Sequence, residues 1–334
     1  MKAAYLKSVD DIVIRDCDLW PLEQNEIRIR VDACGICGTD VTAAVDGKAV
    51  YEPFGHEVAG TILETGIAVK HLAPGQQVLL ESASACGQCV NCRNCRQELC
   101  TSIQSFFYKT SFGFAEEMIS PAISAIPYDG LSPEEACMAE PLGVALDMLR
   151  LADIEIGSHV VVSGLGPIGL MALRLAKLSG AARVYGCELS SSAARIAKAC
   201  EFGADEIILV DQQPLATYPF VQPPDRFLIS SPPRSLVPFF DVAAKGAIFS
   251  FIGIEYGEGA TVCFDLNEFH FKKLQLRASF ASPALYTPAA LELITRLRED
   301  FRSLITHTFP LSEIQAALKA AHQCERAIKV IVKP

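Results

Sequence analysis

A glycine-rich turn between a strand-like run and a helix-like run constrains the fold of this chain more than any other feature. The motif Gly164-x-Gly166-x-x-Gly169 follows the apolar run 160–163 and opens a helical pattern that Gly180 ends. The first glycine permits a tight turn, the second lets a ligand approach the backbone, and the third packs the helix against the strand. Free N–H groups at the start of such a helix attract a diphosphate. The turn therefore predicts a dinucleotide site at Gly164, Gly166, Pro167, Ile168 and Gly169.

The segments after this turn continue the alternation of strand and helix. Residues 182–187 form a second strand-like run, 193–200 a helix and 206–210 a third strand-like run. Strands that alternate with helices build a parallel sheet with helices on its faces. Two further runs, 226–229 and 247–251, extend the sheet. We therefore expect an α/β fold that contains a Rossmann, doubly wound parallel sheet.

The connection between the third and fourth strands of this sheet is unusual. Residues 212–225 contain Pro214, Pro219, Pro223 and Pro224. Proline lacks a backbone N–H, and its ring clashes with the preceding turn of a helix. We therefore expect little room for a crossover helix in this segment.

Glu188 stands at the end of the second strand, where the cofactor ribose is expected. A carboxylate at this place accepts hydrogen bonds from a free ribose hydroxyl and repels a 2′-phosphate. The adjacent Leu189 and Ser190 supply no cation for such a phosphate. Glu188 therefore predicts NAD as the cofactor rather than NADP. The alternative is that Glu188 is only a solvated acid in a loop.

The remainder of the chain predicts a second, mostly β domain. Residues 1 to about 130 contain short apolar runs separated by glycine and proline, such as the alternating run 26–31 and the run 77–80. Near the C-terminus, two helical patterns (288–297 and 311–323) precede a final strand-like run at 327–332, which we expect to return to this first domain.

Thirteen cysteines are present, and five of them fall between Cys86 and Cys100. An odd number does not fit a complete disulfide framework, and a dense cluster in a reducing compartment usually binds metal. Four thiolates leave no open position on a tetrahedral zinc ion, so this zinc would be structural. The alternative is a group of free buried thiols. The predicted ligands are Cys86, Cys89, Cys92 and Cys100, and Cys95 is expected not to bind.

A second candidate metal site lies elsewhere in the sequence. Its candidates are Cys37 in a Gly-Ile-Cys-Gly-Thr-Asp segment, the adjacent His56 and Glu57, and Glu140 before a proline. One thiolate, one imidazole and one or two carboxylates form a zinc shell that keeps a position open for water or substrate, as a catalytic zinc requires.

The net charge and the lack of long apolar runs argue against a nucleic-acid-binding protein and against a membrane protein. The net charge is −10 and the pI is about 5.2, which disfavours nucleic acid or an anionic membrane as the main partner. We see no apolar run of the length that a membrane span needs and no signal peptide, so a cytoplasmic protein is expected.

Taken together, these motifs resemble the zinc-containing medium-chain alcohol dehydrogenases, especially the branch that holds sorbitol, other polyol, sugar-acid and threonine dehydrogenases. The motifs follow one another in the family's order almost from end to end. The resemblance implies a GroES-like catalytic domain at 1–141 and 285–334, with a structural zinc lobe at 86–100, and a Rossmann NAD-binding domain at 142–284. It also implies a homodimer or homotetramer.

The resemblance also implies roles for the candidate residues. Cys37, His56 and Glu57 match catalytic zinc positions, and Glu140 matches a carboxylate that binds this zinc directly or through water. Thr39 matches the hydroxyl that contacts the substrate oxygen and starts a proton relay. The expected reaction interconverts a secondary alcohol (a polyol, sugar or sugar acid) and its ketone by hydride transfer, with two zinc ions per chain.

Two departures from the family pattern bear on substrate and relay. Thr42 occupies the place where the family commonly has a relay histidine, and the arginine of sorbitol-like enzymes is replaced near Ala281. One alternative function is an L-threonine or other amino-alcohol dehydrogenase. A second alternative is a zinc-free quinone or enone reductase, and a third is a non-catalytic protein that binds zinc and NAD.

Overall fold

The computed structural model describes residues 1–108, 112–255 and 257–334. They form two compact units, one made of Met1–Gly143 with Ala281–Pro334 and the other of Val144–Phe280. In the described ranges we find no helix with both the length and the apolar character that crossing a membrane demands.

Short strands joined by turns make up most of the first unit, as the apolar runs predict. In the third strand, Ile27, Ile29 and Val31 are buried, whereas Arg30 is exposed. This period of two places alternate side chains on opposite faces of a sheet. The strands are β1 (Lys2–Ser8), β2 (Asp11–Asp16), β3 (Glu26–Gly35), β4 (Glu52–Pro53), β5 (Glu57–Thr65), β6 (Gln77–Leu80), β7 (Ala83–Ser84), β8 (Gln104–Ser105), β9 (Glu117–Pro121) and β10 (Ala125–Pro127).

Few helices interrupt these strands. The first helix begins directly after Cys37, where the backbone N–H of Cys37 donates to Oδ2 of Asp40 at 3.0 Å. A Ser132–Glu135 capping box begins another helix. The helices are α1 (Gly38–Asp46), α2 (Val90–Arg93), α3 (Pro133–Ala136) and α4 (Ala139–Leu151).

A six-stranded parallel sheet forms the second unit. Its strands lie in the order β13 (Glu206–Leu209), β12 (Arg183–Glu188), β11 (His159–Ser163), β14 (Arg226–Ile229), β15 (Ile248–Phe251) and β16 (Gln275–Ala278). This is the doubly wound arrangement that the sequence predicts. Phe227 and Phe249 stack in its core with ring centroids 4.2 Å apart. The elements are β11 (His159–Ser163), α5 (Pro167–Leu178), β12 (Arg183–Glu188), α6 (Ala193–Glu201), β13 (Glu206–Leu209), β14 (Arg226–Ile229), α7 (Pro238–Val242), β15 (Ile248–Phe251), α8 (Leu266–Phe271) and β16 (Gln275–Ala278).

The proline-rich connection from β13 to β14 contains no α-helix, as expected. It forms only a 3-10 turn at Leu215–Thr217. Tyr218 and Phe220 pack their rings on the buried Tyr185, with centroids 6.2 and 5.0 Å from it. These aromatic rings cover a face of the sheet that a crossover helix would otherwise cover.

The last part of the chain returns to the first unit. Strand β18 (Lys329–Lys333) pairs antiparallel with β3, with Ile331 opposite Gly35, which confirms the expected return. A seven-stranded sheet results, in the order β10-β6-β5-β3-β18-β17 with β9 beside β3. The elements are α9 (Thr287–Arg296), α10 (Arg298–Arg302), β17 (Ile305–Pro310), α11 (Ile314–Gln323) and β18 (Lys329–Lys333).

Candidate functional site

Cys37, His56 and Glu57 come together at the ends of two paired strands. Cys37 follows β3 and begins α1, whereas His56 precedes β5 and Glu57 is the first residue of β5. Because Gly35 of β3 pairs with Glu57, the register brings the thiol close to the imidazole and the carboxylate. One ligand atom from each of the three residues lies within 4.8 Å of the others. We call this group the Cys37 site.

The chemistry of the Cys37 site fits a zinc ion. Sulfur, imidazole nitrogen and carboxylate oxygen are the donors that zinc accepts, and three protein ligands leave a fourth position open. Glu57 is buried at 1% exposure, and Cys37 and His56 are half-buried. The three donors come from separate places in the sequence yet lie close together, as the ligands of one ion do.

Asp40 supports His56 from the first turn of α1. Its Oδ1 lies 3.8 Å from Nδ1 of His56, and only 6% of Asp40 is exposed. Burial lowers the pKa of His56, but the negative charges of Cys37 and Asp40 outweigh burial and raise it well above its usual value. A carboxylate behind a histidine commonly orients that histidine toward a metal. The sequence interpretation did not assign Asp40 this role, although its place three residues after Cys37 could have suggested it.

Glu140 lies near this site but outside the group of three. It stands in the first turn of α4. Burial raises the pKa of Glu140 to about 7, an effect that His56 opposes and Glu57 adds to. The sequence left open whether Glu57 or Glu140 binds the ion at rest, and the structure groups Glu57 with the thiol and imidazole.

Thr39 and Thr42 both lie in α1 and are exposed. The hydroxyl of Thr42 donates to the carbonyl oxygen of Gly38 at 3.1 Å, so this side chain satisfies its own helix. Thr39 stands two residues after Cys37 at the helix start.

Lys329 is a residue of this neighbourhood that sequence reasoning missed. Its Nζ forms an ion pair with Oε2 of Glu57 and donates to the carbonyl oxygen of Ile36 at 2.9 Å. The signal was a single lysine inside an apolar strand, since a buried charge needs a partner. Burial lowers the pKa of Lys329, but the charges of Glu57 and Cys37 outweigh it and raise the pKa above its usual value.

The four-cysteine cluster forms a second, closed group. Its sulfur atoms lie within 4.8 Å of one another, and the separations include 3.5 Å from Cys89 to Cys92 and 3.9 Å from Cys89 to Cys100. Thiolates 2.3 Å from a tetrahedral zinc are spaced by about 3.8 Å, so the cluster fits that ion. Cys95 is exposed and lies outside the group.

Backbone N–H groups favour the ionised form of Cys86 and Cys89. Gln88 and Cys89 donate to Sγ of Cys86 at 3.4 and 3.3 Å, and their N–H groups lower the pKa of Cys86. The same kind of contact, from Cys92 and Thr101, lowers the pKa of Cys89 to about 5. Burial raises the pKa of Cys92 to about 12. A metal ion bound by all four sulfur atoms would favour the thiolate of Cys92 as well, because a metal binds the thiolate form. It would therefore offset the raised pKa of Cys92.

The glycine turn has the geometry that the sequence predicts. Gly164 has a φ of 84°, and α5 begins at Pro167 with Gly166 as the N-cap. A Cβ on Gly169 would lie 1.8 Å from the carbonyl oxygen of Gly164, whereas a Cβ on Gly166 would meet nothing within 4 Å. Gly169 therefore allows close packing of helix on strand, and Gly166 leaves space above the turn.

Glu188 lies beside this turn at the end of β12. Its Oε2 accepts from the N–H of Leu165 and its Oε1 from the N–H of Leu189, each at 2.8 Å. Only 8% of Glu188 is exposed. The contacts fix the carboxylate next to the turn, so Glu188 is not a freely solvated loop acid.

Comparison with known proteins identifies similar sequences over most of the chain. A family model described as "Alcohol dehydrogenase GroES-like domain" matches residues 23–130, and one described as "Zinc-binding dehydrogenase" matches 167–296. A sorbitol dehydrogenase of Arabidopsis thaliana is 30% identical over 98% of this chain and 94% of its own length. An L-threonine 3-dehydrogenase of Chromobacterium violaceum is 27% identical over 96% of each chain.

Solved structures of similar proteins share the fold of the whole chain. The alcohol dehydrogenase TADH of Thermus sp. ATN1 has a TM-score of 0.88 and 25% identity, over 100% of this chain and 99% of its own. A zinc-binding dehydrogenase target from Sinorhizobium meliloti, bound to NADP, has a TM-score of 0.87 and 26% identity over the same shares.

Proposed function

The chain belongs to the zinc-dependent medium-chain alcohol dehydrogenases, and from this premise we propose that it oxidises a secondary alcohol of a polyol, sugar or sugar acid to a ketone with NAD. The observation that carries the proposal is the Cys37 site, whose thiol, imidazole and carboxylate converge within 4.8 Å from separate segments. Relatives named as sorbitol and D-arabinitol dehydrogenases support the substrate class.

Cys37, His56 and Glu57 would hold the catalytic zinc. A zinc ion held there supplies Lewis-acid polarisation of the substrate oxygen. Asp40 places its carboxylate 3.8 Å from Nδ1 of His56, where its charge favours the ring orientation that turns this nitrogen toward it. Thr39 would accept the proton of the substrate hydroxyl and pass its own proton onward. Glu140 adds a carboxylate that interacts electrostatically with His56 and Glu57, and it would bind the ion directly or through water. Thr42 has no ionisable group, so the relay beyond Thr39 must use another group or water.

The turn at Gly164–Gly169 would bind the diphosphate of the cofactor, which supplies the hydride acceptor. Pro167 and Ile168, in the first turn of α5, would lie next to this diphosphate. The fixed carboxylate of Glu188 favours a free ribose hydroxyl and repels a 2′-phosphate, which supports NAD for this chain. The NADP in the Sinorhizobium meliloti structure belongs to that protein.

A second zinc would be structural and bound by Cys86, Cys89, Cys92 and Cys100. The closed group of four thiols supports it, because it leaves no position for a substrate. We therefore propose two zinc ions per chain, and a homodimer or homotetramer as the assembly.

The test combines turnover with metal analysis. The purified protein is screened against polyols, sugar acids and L-threonine with NAD, and NADH absorbance is followed. We expect turnover of a polyol or sugar acid and two zinc ions per chain. Turnover of L-threonine alone would replace our substrate class with that of an amino-alcohol dehydrogenase. One zinc without turnover would favour a non-catalytic zinc protein, and no zinc would favour the zinc-free reductase.

Cys37→Ser tests the site itself. We expect loss of nearly all turnover with NAD binding unchanged, because Cys37 lies in the first unit and the glycine turn in the second. Cys200→Ser is the matched control, since Cys200 is exposed and belongs to neither group of metal-binding candidates. A Cys37→Ser protein that folds and keeps the wild-type kcat would refute the proposal.

A further inference from the structure

Glu57, a member of the Cys37 site, forms a buried ion pair with Lys329. Lys329 and Glu57 are 2% and 1% exposed. A buried ion pair is weak evidence for stability, because removing two charges from water costs about as much as their attraction returns. A buried pair that includes a proposed metal ligand therefore calls for another explanation.

The register of three neighbouring strands produces this contact. Gly35 of β3 pairs with Glu57 of β5 on one side and with Ile331 of β18 on the other. Lys329 precedes Ile331 by two residues, so their side chains leave the same face of β18. The side chain of Lys329 can therefore reach across Gly35 to Glu57.

Gly35 leaves the space for this crossing. A Cβ on Gly35 would lie 2.0 Å from Oε2 of Glu57 and 2.9 Å from Cε of Lys329, closer than real Cβ atoms approach. Any other residue at position 35 would displace the carboxylate or the ammonium. The absence of a side chain at Gly35 therefore leaves the space in which Lys329 and Glu57 meet.

The ammonium also constrains how Glu57 can bind a metal. Nζ of Lys329 contacts Oε2, and its bond to the carbonyl oxygen of Ile36 holds it in place. A carboxylate has two oxygens that can bind a metal, together or singly. The ammonium withdraws charge from Oε2 and competes with a metal for it, so Oε1 is the better donor for an ion that Cys37 and His56 also hold.

We propose that Lys329 is a positioning residue of the metal site, which holds Oε2 of Glu57 so that this carboxylate offers one oxygen, Oε1, to the metal. The inference rests on the proposed function, since it assumes that the Cys37 site binds zinc. Lys329 acts on the metal through Glu57, and the C-terminal strand thereby sets the coordination of an ion whose ligands all lie near the N-terminus.

The test measures metal binding rather than turnover. Co²⁺ replaces zinc in the wild type, Lys329→Met, Glu57→Gln and the double variant, and its visible spectrum and chelator-competed affinity are recorded. The Cys37→Ser protein reports the four-cysteine group alone, and its spectrum is subtracted. We expect Lys329→Met to weaken binding at the Cys37 site about 10- to 100-fold. We also expect weaker Co²⁺ absorption in this variant, because two-oxygen binding raises the coordination number.

The double variant separates positioning from a general structural role. If Lys329 acts through Glu57, adding Lys329→Met to Glu57→Gln changes affinity and spectrum by less than about twofold. This comparison does not use the Lys329→Met single variant, so it remains valid if that protein fails to fold. In the double variant neither charge of the pair remains. A further tenfold loss in the double variant would overturn the inference.

The remaining outcomes separate this inference from the proposed function. Wild-type affinity and spectrum in Lys329→Met would overturn the inference while the proposed function stands. A wild-type protein that binds metal at the four-cysteine group alone would refute the proposed function, and the inference with it.

Discussion

Two glycines of the turn at the start of α5 should respond in opposite ways to the same added methyl group. At Gly166, φ is −65° and a Cβ would meet no heavy atom within 4 Å. At Gly169, a Cβ would lie 1.8 Å from the carbonyl oxygen of Gly164 and 2.9 Å from Oγ of Ser230. The first position is open and the second is closed by backbone.

The stability effects follow from these distances. Gly169→Ala must move the backbone at Gly164, and overpacking of this kind costs typically about 1–3 kcal/mol. We take about 3 kcal/mol, because the obstructing atom belongs to the main chain. At ~2–4 °C per kcal/mol, the melting temperature should fall by about 6–12 °C. Gly166→Ala should leave stability unchanged or raise it by ~0.4–1 kcal/mol, since alanine restricts the unfolded chain.

For the binding of NAD, we expect the larger effect from the substitution at Gly166. A backbone N–H binds a phosphate oxygen at about 2.9 Å, whereas a methyl carbon prefers about 3.5–4.0 Å to its neighbours. A methyl on Gly166 therefore pushes the diphosphate away from the turn. The loss of one hydrogen bond to a charged group is worth ~1.5–3 kcal/mol. NAD should bind about 10- to 100-fold more weakly to Gly166→Ala.

Calorimetric titration with NAD and thermal unfolding monitored by circular dichroism measure the two effects on the same samples. The wild type and both variants are compared, and each variant is the control for the other. A Gly169→Ala protein as stable as the wild type would show that the packing argument is wrong. Wild-type NAD affinity in Gly166→Ala would show that the diphosphate does not lie over this turn.

Three further predictions concern separate parts of the chain. Cys100→Ser should lower the zinc content from two ions to one and reduce the melting temperature; unchanged zinc by elemental analysis would contradict a four-cysteine site. Glu188→Ala should lower the kcat/KM ratio of NAD over NADP by about tenfold or more, because repulsion of the 2′-phosphate is lost; an unchanged ratio would assign the preference elsewhere. Arg298 hydrogen-bonds Glu135 and lowers the pKa of this carboxyl, so the ionised form stabilises the fold above the unfolded-state pKa of about 4.3. Glu135→Gln should therefore cost about 1–2 kcal/mol at pH 7, and the deficit should vanish as the pH falls through the lowered pKa; a deficit independent of pH in urea unfolding would refute this account.

Much of the second unit was predictable because its signals are local. The spacing of the glycines, the apolar runs 160–163 and 226–229, and the helical pattern after Gly166 each lie within a few residues, and the structure places β11, β14 and α5 there. The proline-rich segment also acts locally, since each proline removes a helical hydrogen bond. What the sequence missed is the packing of Tyr218 and Phe220 on Tyr185, which depends on contacts across the sheet.

Other elements had no clear local signal. Strand β16 is an edge strand whose residues are mostly exposed, so it lacks the apolar run that marks a buried strand. Helix α1 begins at Gly38 and carries threonines, which are weak helix formers. Its start depends on the hydrogen bond from the backbone of Cys37 to Asp40, a capping contact that the sequence interpretation did not use.

The candidate metal site shows most clearly where local patterns end. Cys37, His56 and Glu57 could be named from their motifs, but which strands lie beside them depends on topology. Lys329 bonds Ile36 across 293 residues of sequence, and no periodicity connects them. A weaker deduction was still available: apart from Lys329, the residues on both faces of the run 328–332 are apolar, which is typical of a strand covered on both sides. A lysine in such a strand is expected to be buried, and a buried ammonium requires an acidic partner. Glu57 and Glu140, which the motifs had already assigned to a metal site, were the natural candidates for the partner of Lys329. A site whose negative charge attracts a metal ion can also stabilise an ammonium. A single charge in an apolar strand is therefore evidence about a distant site as well as about the strand that carries it.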